Sequence, residues 1–236
     1  MTTTTEQQQA GPSLRIYNTL IQGTDEWLQA RCGLLTASTI GQLITPKTVR
    51  PAANDYSRAL TATLVAERIT RHVEPIYVST DMERGTLDEP YARDIYSEHY
   101  APATEIGFMV RDFGTIRIGY SPDGLVGTDG LIEIKSRRQK KHLETILADE
   151  VPLENMAQIQ TGLLVSGREW LDYVSYCGGM PLYVKRVFPD PKWQQAILDA
   201  ANIFEDTAAV MIGNYRLQTA GRPATERIDH YAEIEL

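Results

Sequence analysis

The chain predicts an α/β fold: one domain with a central mixed β-sheet flanked by helices. Helix-period apolar stripes recur within residues 54–71, 153–165 and 191–217, strand-like runs fill 106–136 and 170–187, and no repeat or composition break divides the 236 residues. Helices interleaved with strands in this way pack in layers around one core. Residues 1–11, polar and rich in Thr and Gln, are expected to be a disordered tail, 12–217 the domain and 218–236 a second polar tail.

Pro12 to Ile21 reads as an extended lead-in. Thr24 is placed to cap a short helix through Ala30, and Thr36 or Ser38 to cap a second that carries Ile40, Leu43 and Ile44 and stops at Pro46. Leu60, Leu64, Val65 and Ile69 form the apolar stripe of a helix from Asn54 to Arg71. Thr80 to Tyr100 is a long helical stretch whose acidic start, Asp81, Glu83 and Asp88, suits the positive end of a helix dipole. Strands are expected at Ile106–Arg111, Thr115–Ser121, Gly124–Thr128 and Leu131–Ser136, then helices at His142–Ala148 and Leu153–Val165. Two further strands, Trp170–Tyr176 and Leu182–Val187, flank a Gly178-Gly179 turn, and Pro191–Leu217 closes the domain as a helix.

The chemistry concentrates in Ser121 to Ser136, SPDGLVGTDGLIEIKS. Phosphodiester hydrolysis needs a hard divalent cation held by carboxylates, an activated water and positive charge at the transition state. Asp123 and Glu133 fit the first need and Lys135 the last, with the Ile134 carbonyl as a further ligand. Alternation along a strand puts Glu133 and Lys135 on one face and Ile132 and Ile134 on the other. A two-residue Asp129-Gly130 loop would set Asp123 across from Ser136 on the wrong face. A three-residue loop with Gly130 in a left-handed bulge position would set it opposite Lys135, with Glu133 as its diagonal neighbour. The same sixteen residues also suit an ordinary surface hairpin.

Composition excludes other classes. There is no apolar run of membrane length and no hydrophobic leader, so the expectation is a cytoplasmic protein. Cys32 and Cys177 stand alone, which suits buried thiols and argues against a disulfide framework, a thiolate cluster or an iron–sulfur centre. A formal net charge of −8 opposes non-specific contact with nucleic acid. Against this, Lys135, Arg137, Arg138, Lys140 and Lys141 cluster directly after the proposed metal strand, where phosphate contact is expected of them.

Three more segments, WLQARCGLLTAS from Trp27, GTLDEPYAR from Gly85 and MAQIQ from Met156, join SPDG and EIK in an order that resembles the YqaJ-like viral recombinases, the phage-type alkaline exonucleases typified by λ exonuclease. The match runs from about Leu14 to about Val187. It implies a restriction-endonuclease-like core, with Asp123, Glu133 and the Ile134 carbonyl as metal ligands and Lys135 orienting or deprotonating the attacking water. Glu89 becomes an added carboxylate that reaches the metal through water, and Gln158 the active-site glutamine. Helical spacing turns Gln160 about 200° away from Gln158. Arg31, Ser38 and Ser121 resemble a pocket for a 5′-terminal phosphate, a role suited to a forked guanidinium and hydroxyl donors.

The resemblance further implies a Mg²⁺-dependent 5′–3′ exonuclease on double-stranded DNA ends, with two ions, Mn²⁺ as a substitute, 3′ overhangs for recombination, a homotrimeric ring and a single-strand annealing protein as partner. A structure-specific endonuclease on the same core, or a non-catalytic scaffold that binds DNA ends, is the alternative.

Overall fold

Side-chain caps set several helix starts. In the computed structural model, which describes residues 12–75 and 77–228, the Thr24 hydroxyl accepts the Trp27 N–H and opens α1 (Asp25–Arg31). Asn54 and Ser57 exchange side-chain and backbone hydrogen bonds in a capping box at the head of α2 (Asp55–Thr70). Ser79 caps α3 (Thr80–His99) through the Met82 N–H. α4 (Gln139–Ala148) and α5 (Leu153–Ser166) follow. In α6 (Pro191–Thr219), Asp190 accepts two N–H groups and Pro191 takes the first position, where its missing N–H costs nothing. The closing helix thus runs into the expected second tail, while residues 1–11 and 229–236 lie outside the described residues.

The helix expected after Thr36 or Ser38 does not form. Leu35–Thr36 is strand β2, Thr39 precedes a single 3-10 turn over Ile40–Leu43, and Ile44–Thr45 is strand β3, paired with β4 (Arg50–Pro51). Thr36 is held in the extended state by its pairing with Gly119, and the Thr39 hydroxyl takes its N–H. Ile40 and Leu43, three apart, suit one 3-10 turn as well as a helix, and both are buried.

The expected sheet is present as two mixed sheets. The first, in the order β1-β6-β7-β2, pairs β1 (Ser13–Tyr17), β6 (Phe108–Asp112) and β7 (Arg117–Tyr120) antiparallel, with β2 parallel to β7. The second, β11-β10-β9-β8-β5, is built from β5 (Ala103–Thr104), β8 (Gly124–Val126), β9 (Gly130–Ser136), β10 (Trp170–Tyr176) and β11 (Tyr183–Val187). β9 and β10 are parallel, so the chain needs a crossover between them, and α4 and α5 supply it. Tyr120 ends the first sheet and Gly124 starts the second, which places Ser121, Pro122 and Asp123 at the seam.

β9 separates two apolar layers. Leu131 belongs to the main core with Ile118, Ile159, Leu163 and Tyr173, whereas Ile132 and Ile134 pack with Ala92 and Tyr96 of α3 and Val174 of β10. This is the alternation expected of that strand.

The hairpin register differs from both expected ones. Gly124 pairs with Ile132, Leu125 with Leu131 and Val126 with Gly130. The loop is Gly127-Thr128-Asp129, and Gly127, not Gly130, takes the left-handed conformation at φ 51°. Carried on by one residue, this register sets Asp123 opposite Glu133 rather than Lys135. The shift from the three-residue expectation is two positions, so Asp123 keeps its face.

Candidate active site

Asp123 and Glu133 reach the seam from different chain segments and are locked in different ways. Asp123 Oδ2 accepts the Ile134 N–H at 2.6 Å, and the Arg93 guanidinium donates to the Asp123 carbonyl at 2.7 Å. Because N–H and C=O of one strand residue point to the same edge, the Ile134 carbonyl also faces the Asp123 side, beyond the last paired residue of β8. Glu133 is only 1% exposed. Its Oε1 accepts from Lys135 Nζ at 2.7 Å and from Gln158 Nε2 at 2.5 Å, and its Oε2 from the Tyr120 hydroxyl at 3.2 Å. This is a buried, fully hydrogen-bonded carboxylate, which excludes the surface-hairpin reading.

Glu89, one turn before Arg93 on α3, pairs with that arginine, which also pairs with Glu105. Burial raises the Glu89 carboxyl above the usual range against the pull of Arg93, and Glu133 adds to the rise. Asp123 is raised well above the usual range, first by burial and then by Glu133 and Glu89. Burial alone would depress the Lys135 ammonium, but Glu133 and Asp123 hold it above the ordinary lysine value. Three carboxylates around the Lys135 ammonium, with only Glu89 paired to Arg93, favour arrival of a further cation.

The donor set fits a hard metal. Asp123, Glu133 and the Ile134 carbonyl supply oxygen only, as magnesium and manganese prefer. Among the described residues no three His, Cys, Asp or Glu side chains already converge at ligand spacing. Magnesium keeps several waters and shares phosphate oxygens, so two carboxylates and a carbonyl suffice.

Beside these groups, Arg31 Nη2 donates to Thr36 Oγ1 at 3.3 Å and to Ser38 Oγ at 3.1 Å, and the guanidinium lies 3.9 Å from the centre of the Trp27 ring. Trp27 Nε1 in turn donates to Ser121 Oγ at 3.0 Å. Burial lowers the Arg31 pKa to about 10, partly opposed by Glu67, so the group stays charged at neutral pH. One cleft of about 490 Å³ is lined by Arg31, Ser38 and Ser121 together with Glu89, Asp123, Glu133, Lys135 and Gln158.

The basic run is arranged otherwise than expected. Arg137 turns inward, donating to Asn155 at 2.6 Å and to the Tyr173 hydroxyl at 3.5 Å. Arg138 pairs with Asp81, Lys141 with Glu154, and Lys140, 89% exposed, lies 3.9 Å from Glu144. Arg138, Lys140 and Lys141 thus each have a carboxylate neighbour. Gln160 is fully buried, and its amide ties Phe188 and Asp190 together.

Sequence reasoning missed Tyr120. It is fully buried, its hydroxyl raised well above the usual tyrosine value by burial and then by Glu133 and Asp123. A Cβ at Gly162 of α5 would lie 2.7 Å from its ring, so the glycine is what lets the tyrosine approach. Trp27, quoted only as part of a motif, joins Arg31 to Ser121. Arg93 had a signal in its four-residue spacing from Glu89.

A family model for the YqaJ-like viral recombinase domain matches residues 26–169, more than half of the chain. The chain belongs to that family. Among solved structures, the alkaline exonuclease LHK-Exo from Laribacter hongkongensis is similar at 32% identity and a TM-score of 0.74, over 84% of this chain and 98% of the other. LHK-Exo in complex with dAMP matches with the same values. A phage-related exonuclease from Haemophilus somnus 129PT shares the fold at 9% identity and a TM-score of 0.55, over 75% of this chain and 96% of the other. Comparison with curated protein sequences finds no match. Every expected site residue lies within the YqaJ-like match, from Arg31 to Gln158. Among the described residues, no helix of this family member is long and apolar enough to cross a membrane.

Proposed function

We propose that the protein is a Mg²⁺-dependent exonuclease that degrades one strand of duplex DNA from a 5′-phosphorylated end, 5′ to 3′, leaving a 3′ single strand for phage-type homologous recombination. The observation that carries this reading is the sharing of one cleft by the Asp123–Glu133–Lys135 set and the Arg31–Ser38–Ser121 group. The dAMP bound by LHK-Exo, a deoxynucleoside monophosphate, is the kind of product such a reaction releases.

In this reading Arg31, Ser38 and Ser121 hold the terminal phosphate through charge-assisted hydrogen bonds, and Trp27 keeps Arg31 and Ser121 in register. Asp123, Glu133 and the Ile134 carbonyl would hold the metal, with Glu89 as an added carboxylate that would reach it through water. When bound, magnesium, as two ions with manganese as a substitute, supplies Lewis acidity and lowers the pKa of water at the reacting phosphate. Lys135 and Gln158 fix the Glu133 carboxylate and orient the attacking water. The fixed donors need no rearrangement as charge develops.

Lys140 is the member of the basic run freest to touch duplex backbone, while Arg138 and Lys141 would exchange carboxylate partners to do so. A homotrimeric ring, a single-strand annealing protein as partner and action in the cytoplasm of a bacterial or phage-infected cell belong to the same proposal. A ring reconciles the net charge of −8 with DNA, since negative charge faces outward and cationic charge lines the channel.

The test is digestion of linear duplexes with 5′-phosphate or 5′-hydroxyl ends beside a closed circle, with Mg²⁺ and with EDTA. Magnesium-dependent loss of the phosphorylated linear duplex alone is expected. Loss of the circle at a similar rate would replace the exonuclease by an endonuclease, and no cutting at all would leave a scaffold that binds DNA ends.

A further inference from the structure

A second cleft, of about 790 Å³, shares no lining residue with the first. The two are nevertheless neighbours. α1 gives Trp27 and Arg31 to the catalytic cleft, and Ala30, with Cys32 and Gly33 just beyond the helix end, to the second. β7 starts at the second cleft with Arg117 and ends at the first with Tyr120, roughly 10 Å away along the strand.

The second cleft is cationic in an acidic chain. Four arginines, Arg68, Arg71, Arg117 and Arg216, face two carboxylates, Glu205 and Asp112. Both carboxylates are engaged: Glu205 takes both terminal nitrogens of Arg68 at 2.6 and 2.7 Å, and Asp112 Oδ1 accepts the Gly114 N–H. Arg71, Arg117 and Arg216 are exposed and form no ion pair among the described residues, which leaves three cations open to a ligand. Tyr215 stands 47% exposed in the same cleft. Open cations beside an exposed aromatic face suit a single nucleic-acid strand, whose phosphates meet the arginines while a base stacks on the ring. A duplex offers no free base face.

We propose that this arginine cleft is a second nucleic-acid contact that binds single-stranded DNA through Arg71, Arg117, Arg216 and Tyr215. The proposal rests on the DNA-directed reading given above. It adds a place, one strand length from the reaction, for the strand that is not degraded.

Fluorescence anisotropy of the full-length chain in EDTA tests it, with a labelled single strand and a blunt hairpin duplex of equal length as probes. Relative to the wild type, the Arg117→Gln/Arg216→Gln double variant is expected to bind the single strand about tenfold more weakly at 0.15 M salt, with the log–log salt slope reduced by about 1.4. Tyr215→Ala is expected to weaken it about fivefold with the slope unchanged. Both variants should cut a short 5′-phosphorylated duplex in Mg²⁺ within twofold of the wild type and melt at the same temperature. Unchanged single-strand binding, an equal loss on the hairpin, or no single-strand binding by the wild type overturns the proposal. Because binding is read without metal, a wild type that binds the strand but never cuts DNA would defeat the nuclease reading alone.

Discussion

The catalytic cleft and the arginine cleft share a short helix and a short strand, yet their charges are arranged in opposite ways. In the catalytic cleft four carboxylates, Asp81, Glu89, Asp123 and Glu133, face two cations, Arg31 and Lys135, and the central carboxylate is sealed by Lys135, Gln158 and Tyr120. In the arginine cleft three of the four arginines are exposed, the fourth, Arg68, is paired with Glu205, and Asp112 accepts the Gly114 N–H. Groups sealed in that way are screened little by salt and are fixed before a ligand arrives, as chemistry requires. Exposed arginines are screened within about 10 Å at 0.1 M salt, which suits a contact that must release its strand. On the two proposals, reaction and retention would fall to separate clefts.

The strongest way to break this comparison is Asp123→Ala. Cleavage of a phosphorylated linear duplex should fall about 1,000-fold or more, because the remaining carboxylate cannot alone hold the cation, while single-strand anisotropy stays within twofold. A parallel loss of binding would merge the two clefts into one site. Next, Arg31→Ala should cut the rate ratio of 5′-phosphate to 5′-hydroxyl ends by about 10- to 100-fold, as expected for losing hydrogen bonds to a charged group. A ratio that does not move would remove the phosphate pocket from the catalytic cleft.

Tyr120→Phe deletes one hydroxyl and leaves the ring. It should weaken Mn²⁺ binding about tenfold by calorimetry, the usual cost of losing a partner that orients a ligand. The smallest effect concerns pH. Asp123 has a raised carboxyl pKa in the metal-free fold, so its stability is full below the unfolded value and is lost as pH rises through the folded one. Asp123→Asn removes that loss. In EDTA at pH 7 it should melt above the wild type, and the gap should close as pH falls below the unfolded carboxylate value. A gap that persists there would mean that charge is not its cause.

Much of the fold was legible because its signals are local. The Thr24 cap, the apolar stripe of α2, Pro191 at the head of α6 and the Glu133–Lys135 alternation act within a turn, a helix or a strand. The hairpin register was not legible, since Gly127 and Gly130 can both occupy a left-handed position and only packing across the hairpin chooses between them. The ion pairs of the basic run were hidden for a related reason. Asp81 lies 57 residues before Arg138, and Glu154 13 residues after Lys141, so no local pattern announces the pairing. Tyr120 was hidden because its significance depends on an absent side chain on α5, a helix that starts more than thirty residues later.

That absent side chain has a practical reach. Alanine is preferred to glycine inside a helix by about 0.5–1 kcal/mol, so a thermostabilising redesign of α5 would fill position 162 early. The methyl group would press on the Tyr120 ring, and the displaced hydroxyl would release Glu133. An engineer would then hold a protein with a better helix and a slower reaction, and a melting curve alone would report success.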